Sequence, residues 1–126
     1  MLYIVAARDA SHANELTSSK NKKSYVVEIN NFEDFAFKYR DNLENYKIYY
    51  KLNPNGLSKI DSLEVKGISK FAESVLDFLN SNCDKENEII DEFNLSFSKI
   101  RKYMDKLKKL CDYALKNEYN LIGLGD

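Results

Sequence analysis

Apolar and polar positions along the chain indicate short strands separated by helical segments. Residues 2–7 form a continuous apolar run whose length and content of Tyr, Ile and Val are typical of a buried strand. This run is the most apolar of the short segments, and it predicts a strand at the centre of a sheet. The other predicted strands are residues 25–29, residues 47–52, and residues 62–65 after the Asn53–Gly56 turn signal, and residues 119–124 are either a final strand or a packed tail.

Helical spacing of apolar residues accounts for most of the remaining chain. Asp9 is a suitable cap for a short helix over residues 10–17. A second helix begins near Asn31 and ends near residues 42–45, and a third runs from Gly67 to residues 80–82. The last and longest helix spans residues 88–117, and a break near residues 94–96 would divide it in two. Its apolar stripe consists of Ile90, Phe93, Phe97, Ile100, Met104, Leu107, Cys111 and Ala114.

The order of these elements predicts an α/β (mixed α+β) fold. A chain of 126 residues with 44% hydrophobic residues is sufficient for one core, so residues 1–126 are expected to form a single domain. We expect a four- or five-stranded mixed sheet with helices packed on it and a long C-terminal amphipathic helix.

The charge balance and the cysteines restrict the classes of function. The 19 basic and 20 acidic residues nearly cancel, which argues against a nucleic-acid-binding protein that works by overall positive charge. No apolar run approaches the length of a membrane span, and no secretory signal is recognisable at the start. Cys83 and Cys111 are therefore expected to be reduced core residues, and the protein is expected to be cytoplasmic.

Charge is unevenly distributed near the last helix. Residues 84–92 hold five acidic residues, among them Glu86 and Glu88, and one lysine, whereas residues 99–116 hold seven basic and two acidic residues. The lysines opposite the apolar stripe are Lys99, Lys102, Lys106 and Lys109. They form either a solvated helix surface or an electrostatic docking surface. The stripe itself favours core burial, because Tyr103 and Leu110 widen it, and the alternative is a coiled-coil seam that would form a homodimer.

The loop after the first strand is the best candidate for chemistry. Arg8 could hold an anion and His12, the single histidine, could transfer protons, with Asp9 and Ser11 beside them. The alternative interpretation makes Asp9 a helix cap and the others surface residues. The sequence predicts no metal site and no cofactor, because one histidine and two distant cysteines match no ligand pattern. Cys111 occupies an apolar position that favours a core residue over a nucleophile.

In size, charge balance and lack of a catalytic signature, the chain resembles small bacterial or phage inhibitor proteins, such as toxin-immunity proteins. The resemblance implies a stoichiometric inhibitor that binds another protein, a toxin or an enzyme, and occludes its active site. The alternative is a small α/β enzyme or a nucleotide- or phosphate-binding domain that uses Arg8, Asp9 and His12. The predicted partner-binding residues are Lys20, Lys22, Lys23, Glu86, Glu88, Lys99, Lys102, Lys106 and Lys109.

Overall fold

A four-stranded sheet and six α-helices make up the fold in this computed structural model, which describes residues 1–126. The strands are β1 (Tyr3–Ala7), β2 (Tyr25–Val27), β3 (Leu57–Ile60) and β4 (Asn120–Leu124). The helices are α1 (Ala10–Ser18), α2 (Phe32–Lys38), α3 (Tyr46–Tyr49), α4 (Val65–Ser81), α5 (Glu86–Phe93) and α6 (Phe97–Lys116). The predicted α+β class and the long C-terminal helix are confirmed.

The strand order is β2-β1-β4-β3, and every neighbouring pair is antiparallel. The interior position predicted for the first strand is therefore correct, because β1 pairs with β2 on one side and with β4 on the other. The expectation of a mixed sheet was wrong in detail. None of the strand pairs is parallel, because each connection brings the chain back into the sheet at the end that it has just left.

The two faces of the sheet are covered unequally. On the inner face, alternate residues such as Ile4, Ala6 and Val26 join the main core with α4 and α6. On the outer face, Val5 packs with Ala13 of α1 in a small second cluster. Three further outer-face side chains, Tyr3, Tyr25 and Leu124, are only half buried at the margin of that cluster. The edge strand β2 therefore has one well-packed face and one partly open face.

The C-terminal helical segment is divided at Asn94. This residue adopts a left-handed conformation with φ of 55°, which ends α5, and α6 begins three residues later at Phe97. The change of direction alters which residues are buried before the break. Ile89 is fully buried whereas Ile90, which was assigned to the apolar stripe, is 37% exposed.

The predicted third strand, residues 47–52, was wrong. Asn45 adopts a left-handed conformation with φ of 59° and precedes the single-turn helix α3. This turn buries the ring of Tyr49, which stacks on Phe71 of α4 at a centroid distance of 4.5 Å. The β-propensity of Ile and Tyr is overridden here because tertiary packing of one aromatic ring requires the helical turn.

The predicted fourth strand, residues 62–65, was also displaced. The Asn53–Gly56 turn is present, but the strand follows it immediately as β3, which has only one buried residue, Ile60. Asp61 then accepts a hydrogen bond from the amide of Leu63 at 3.1 Å and begins a short 3₁₀ turn. An edge strand with mostly exposed residues has a weak apolar pattern, and this explains why sequence alone misplaced it.

The apolar stripe of α6 lies in the core of the same chain. Tyr103, Met104, Leu107 and Cys111 are all buried, and α6 packs most extensively against α4. The stripe is therefore a core face, as its width predicted, rather than an exposed coiled-coil seam. None of the helices combines the length and the apolar character that crossing a bilayer would require.

We expect Leu107→Ala to lower the free energy of unfolding by about 2–5 kcal/mol, because Leu107 is fully buried and its loss leaves a cavity. Urea denaturation followed by circular dichroism measures this change. Asp105→Ala, at an exposed position on the same helix, is the matched control and should change stability by no more than about 0.5 kcal/mol. A loss below about 1 kcal/mol for Leu107→Ala would contradict its placement in the core.

Candidate binding groove

Helix α6 places a row of lysines on the protein surface. Ser96 caps the helix by accepting a hydrogen bond from the amide of Lys99 at 3.2 Å. Because the opposite side of α6 is buried, its polar side must face solvent. The exposed lysines on that side are Lys99, Lys102, Lys106 and Lys109. None of them takes part in an ion pair, whereas the neighbouring Lys108 lies 3.6 Å from a carboxylate oxygen of Glu73.

The second basic segment, Lys20–Lys23, connects α1 to β2. Its end is fixed by two backbone hydrogen bonds: Ser24 donates to the carbonyl of Asn21 at 2.9 Å, and its own carbonyl accepts from Ala6 of β1 at 2.8 Å. Lys22 and Lys23 are therefore exposed residues held directly before the edge strand.

These two segments, more than 75 residues apart in sequence, meet at one groove. The groove lies between β2 and α6 and has a volume of about 690 Å³. Lys22 and Lys23 line it from the loop, and Lys106 and Lys109 line it from the helix. Its other lining residues are apolar or aromatic: Tyr25, Val26, Val27, Leu110 and Tyr113. No acidic side chain lines the groove, so its chemistry suits a ligand that combines negative charge with apolar surface.

The backbone of β2 adds hydrogen-bonding capacity to this groove. Val26 lies opposite Ile4 of β1. On either side of it, the carbonyl of Ser24 accepts a hydrogen bond from the amide of Ala6, and the amide of Glu28 donates one to the carbonyl of Leu2. Because hydrogen-bonding directions alternate along an antiparallel strand, the N–H and C=O groups of Tyr25 and Val27 point away from the sheet. β2 has no strand on that side, so it is an open sheet edge.

The structure brings together only part of the predicted partner-binding set. Lys22, Lys23, Lys106 and Lys109 share the groove. Lys99 and Lys102 lie on the same side of α6 but nearer its N-terminus, and Lys20 lies in the turn after α1 with φ of 57°.

Neither member of the acidic pair in the predicted set lines the groove, and both lie in the first turn of α5. A carboxylate oxygen of Glu86 accepts a hydrogen bond from the amide of Phe97 at 3.0 Å and so helps to cap α6. Glu88 is an exposed residue in the first turn of α5. Glu86 therefore has a clear structural role, which is consistent with negative charge at a helix N-terminus.

The loop containing Arg8, Asp9 and His12 forms a capping turn. Asp9 accepts a hydrogen bond from the amide of His12 at 2.9 Å, and the amide of Arg8 donates to Nδ1 of His12 at 3.1 Å. The His12 ring lies edge-on to Tyr119 at a centroid distance of 5.3 Å. Asp9 therefore caps α1 as predicted, and the use of this loop in catalysis remains a prediction.

A polar cluster of the buried Tyr49 and Tyr103 with the partly buried Glu28 was not predicted from the sequence. The hydroxyl of Tyr49 donates a hydrogen bond to the carboxylate of Glu28, and its oxygen lies 2.8 Å from the hydroxyl oxygen of Tyr103. Burial raises the pKa of the Glu28 carboxyl above its ordinary value of 4.5, and the hydrogen bond from Tyr49 partly opposes this shift. Burial also raises the pKa of both tyrosine hydroxyls well above the ordinary value of 10.0.

The cysteines differ in environment. Cys111 is buried in the core, and burial raises the pKa of its thiol to about 12. Cys83 is an exposed free thiol, so its predicted place in the core was wrong. It follows α4 in a short 3₁₀ turn that joins α4 to α5 at the surface. No three histidine, cysteine or carboxylate side chains come together in an arrangement that could hold a metal ion.

Comparison of the chain with protein-family models, with characterised proteins and with solved structures finds no match.

Glu28→Gln should change the pH dependence of stability. A carboxyl whose pKa is raised by folding contributes stability that is fully present below the unfolded-state pKa, near 4.5, and is lost as pH rises through the folded-state pKa. Glutamine removes this loss, so the stability of the variant relative to the natural protein should increase as pH rises from about 4.5 through the raised folded-state pKa. Urea denaturation at several pH values measures the difference.

Glu44→Gln, at an exposed position, is the control for this series and should show no such trend. A constant difference between Glu28→Gln and the natural protein across the pH range would show that Glu28 titrates normally in the folded state.

Proposed function

We propose that this protein is a cytoplasmic protein-binding module that acts as a stoichiometric inhibitor. It would engage an acidic and partly apolar surface of another protein through the groove between β2 and α6, and it would occlude the active site of that partner. The single observation that supports this proposal is the groove itself, where four exposed lysines without ion pairs surround an apolar and aromatic floor.

The composition of the groove is that of a recognition surface. Tyrosines are enriched at the energetic centres of protein interfaces, because a ring offers a large apolar area and a polar tip. Tyr25 and Tyr113 line the groove, and both are half buried in the free protein. The surrounding lysines are exposed, and charged residues of this kind at the rim mainly increase the rate and specificity of association.

The surface available to a partner extends beyond the groove. A stable protein interface buries about 800 Å² on each side, which is more than a single groove of this size provides. Lys99 and Lys102 continue the basic side of α6 toward its N-terminus, away from Lys106 and Lys109. A partner that lies along α6 would therefore meet all four lysines, with the groove near one end.

The double variant Lys106→Glu, Lys109→Glu tests the proposal. The natural protein, tagged and used to isolate its partner from the native lysate, should form a one-to-one complex in which the partner's activity is blocked. Because both lysines lie on the groove, we expect charge reversal to weaken binding of the purified partner by at least about tenfold. Isothermal titration calorimetry measures the affinity, and the partner's own assay measures the inhibition.

The matched control is Lys66→Glu, Lys70→Glu. It makes the same change in net charge at exposed positions on α4, outside the groove, and should leave the affinity unchanged. Equal affinities of the two double variants for the partner would show that the groove is not part of the interface. A partner that remains fully active in the complex would contradict the inhibitor function while leaving the binding function in place.

A further inference from the structure

We infer that the groove receives its partner as an extended acidic segment that pairs with the outer edge of β2 as a fifth strand of the sheet. This inference rests on the proposed function, because it specifies how the partner occupies the same groove. It adds the backbone conformation, the charge and the side-chain pattern of the bound segment.

The outer edge of β2 presents backbone groups that no other strand of the sheet pairs with. The N–H and C=O groups of Tyr25 and Val27 point away from β1 into the groove region, and no strand of the fold lies on that side. An extended peptide at this edge would satisfy these groups by the same ladder that joins β1 and β2, which is a common mode of peptide recognition.

Charge identifies the occupant as an acidic segment of a different protein. Lys22 and Lys23 lie at the beginning of β2, and Lys106 and Lys109 lie along the helical wall. Lysines near a sheet edge disfavour pairing with a second copy of the same edge, because like charges would meet. The same lysines favour a strand that carries carboxylates. The edge is therefore protected against self-association and remains available to an acidic partner.

Side-chain alternation predicts the pattern of that segment. Residues of an added strand would point alternately to the two faces of the sheet. On the α6 side they would meet Lys106, Lys109 and Tyr113, which favours acidic residues. On the other side they would extend the half-open cluster in which the Tyr3 and Tyr25 rings lie 5.6 Å apart, which favours β-branched or aromatic residues.

The probe that tests this inference is a capped synthetic peptide of about seven residues, a typical strand length, in which glutamate alternates with valine. We expect it to bind the full-length protein and to slow amide hydrogen exchange at Tyr25 and Val27. Methylation of alternate backbone nitrogens on the bonding edge of the peptide should weaken binding by at least about tenfold. A peptide with lysine in place of glutamate is the charge control and should not bind.

Val27→Pro tests the backbone contact from the protein side. Proline removes the outward N–H of Val27, and its place at a sheet edge is one that proteins tolerate. Val27→Ala is the matched control, because it removes the same apolar side chain while keeping the N–H. Circular dichroism and thermal melting first establish that both variants fold. We expect peptide affinity to fall by at least about fivefold more in Val27→Pro than in Val27→Ala.

The outcomes separate this inference from the proposed function. Equal peptide binding by the two Val27 variants, without protection of Tyr25 and Val27, would overturn strand addition, while a groove-dependent inhibitory complex would keep the proposed function. Absence of peptide binding at about 1 mM would also overturn the inference. If the groove instead binds single-stranded DNA with a steep salt dependence, and Lys106→Glu, Lys109→Glu abolishes this binding, both proposals are overturned.

Discussion

Burial of the apolar face of α6 against α4 and the inner face of the sheet is the constraint on which the rest of the structure depends. Leu107 and Met104 are fully buried on this face, and α6 contacts β1, β2 and β4 as well as α4. Because this face is buried, the lysines on the opposite side of the helix face solvent. The same packing sets α6 beside the edge strand β2, so the helix that completes the core also forms one wall of the groove.

The elements that sequence predicted well are those with long or strong patterns. α4 and α6 repeat their apolar spacing over several turns, and β1 is a continuous apolar run, so many residues in each element indicate the same secondary structure. The elements that were predicted wrongly are short. Residues 47–52 have a strand-like composition, but stacking of the Tyr49 ring on Phe71 stabilises the helical turn more than local β-propensity stabilises a strand. No pattern within those six residues contains that information.

The groove shows the same division between local and long-range information. Lys22, Lys23, Lys106 and Lys109 were each predicted from local charge, but their meeting depends on β2 being the edge strand beside α6. Strand order is set by interactions across the whole chain, and the sequence of a three-residue strand does not specify it. The apolar floor was missed for this reason: Leu110 looked like core and Tyr25 like an ordinary strand residue, and both identifications are correct but incomplete.

The buried cluster of Glu28, Tyr49 and Tyr103 bears on the precision of the groove. Glu28 follows directly after β2, and Tyr103 precedes Lys106 by about one turn of α6, so hydrogen bonds through Tyr49 of α3 link the residue after β2 to α6. A partly buried carboxyl with a raised pKa is a poor source of stability, because its charged form is desolvated. Hydrogen bonds are, however, directional in a way that apolar contacts are not. A cluster that fixes the distance between strand and helix would keep the groove at a constant width, and a preformed groove binds with a smaller loss of conformational entropy.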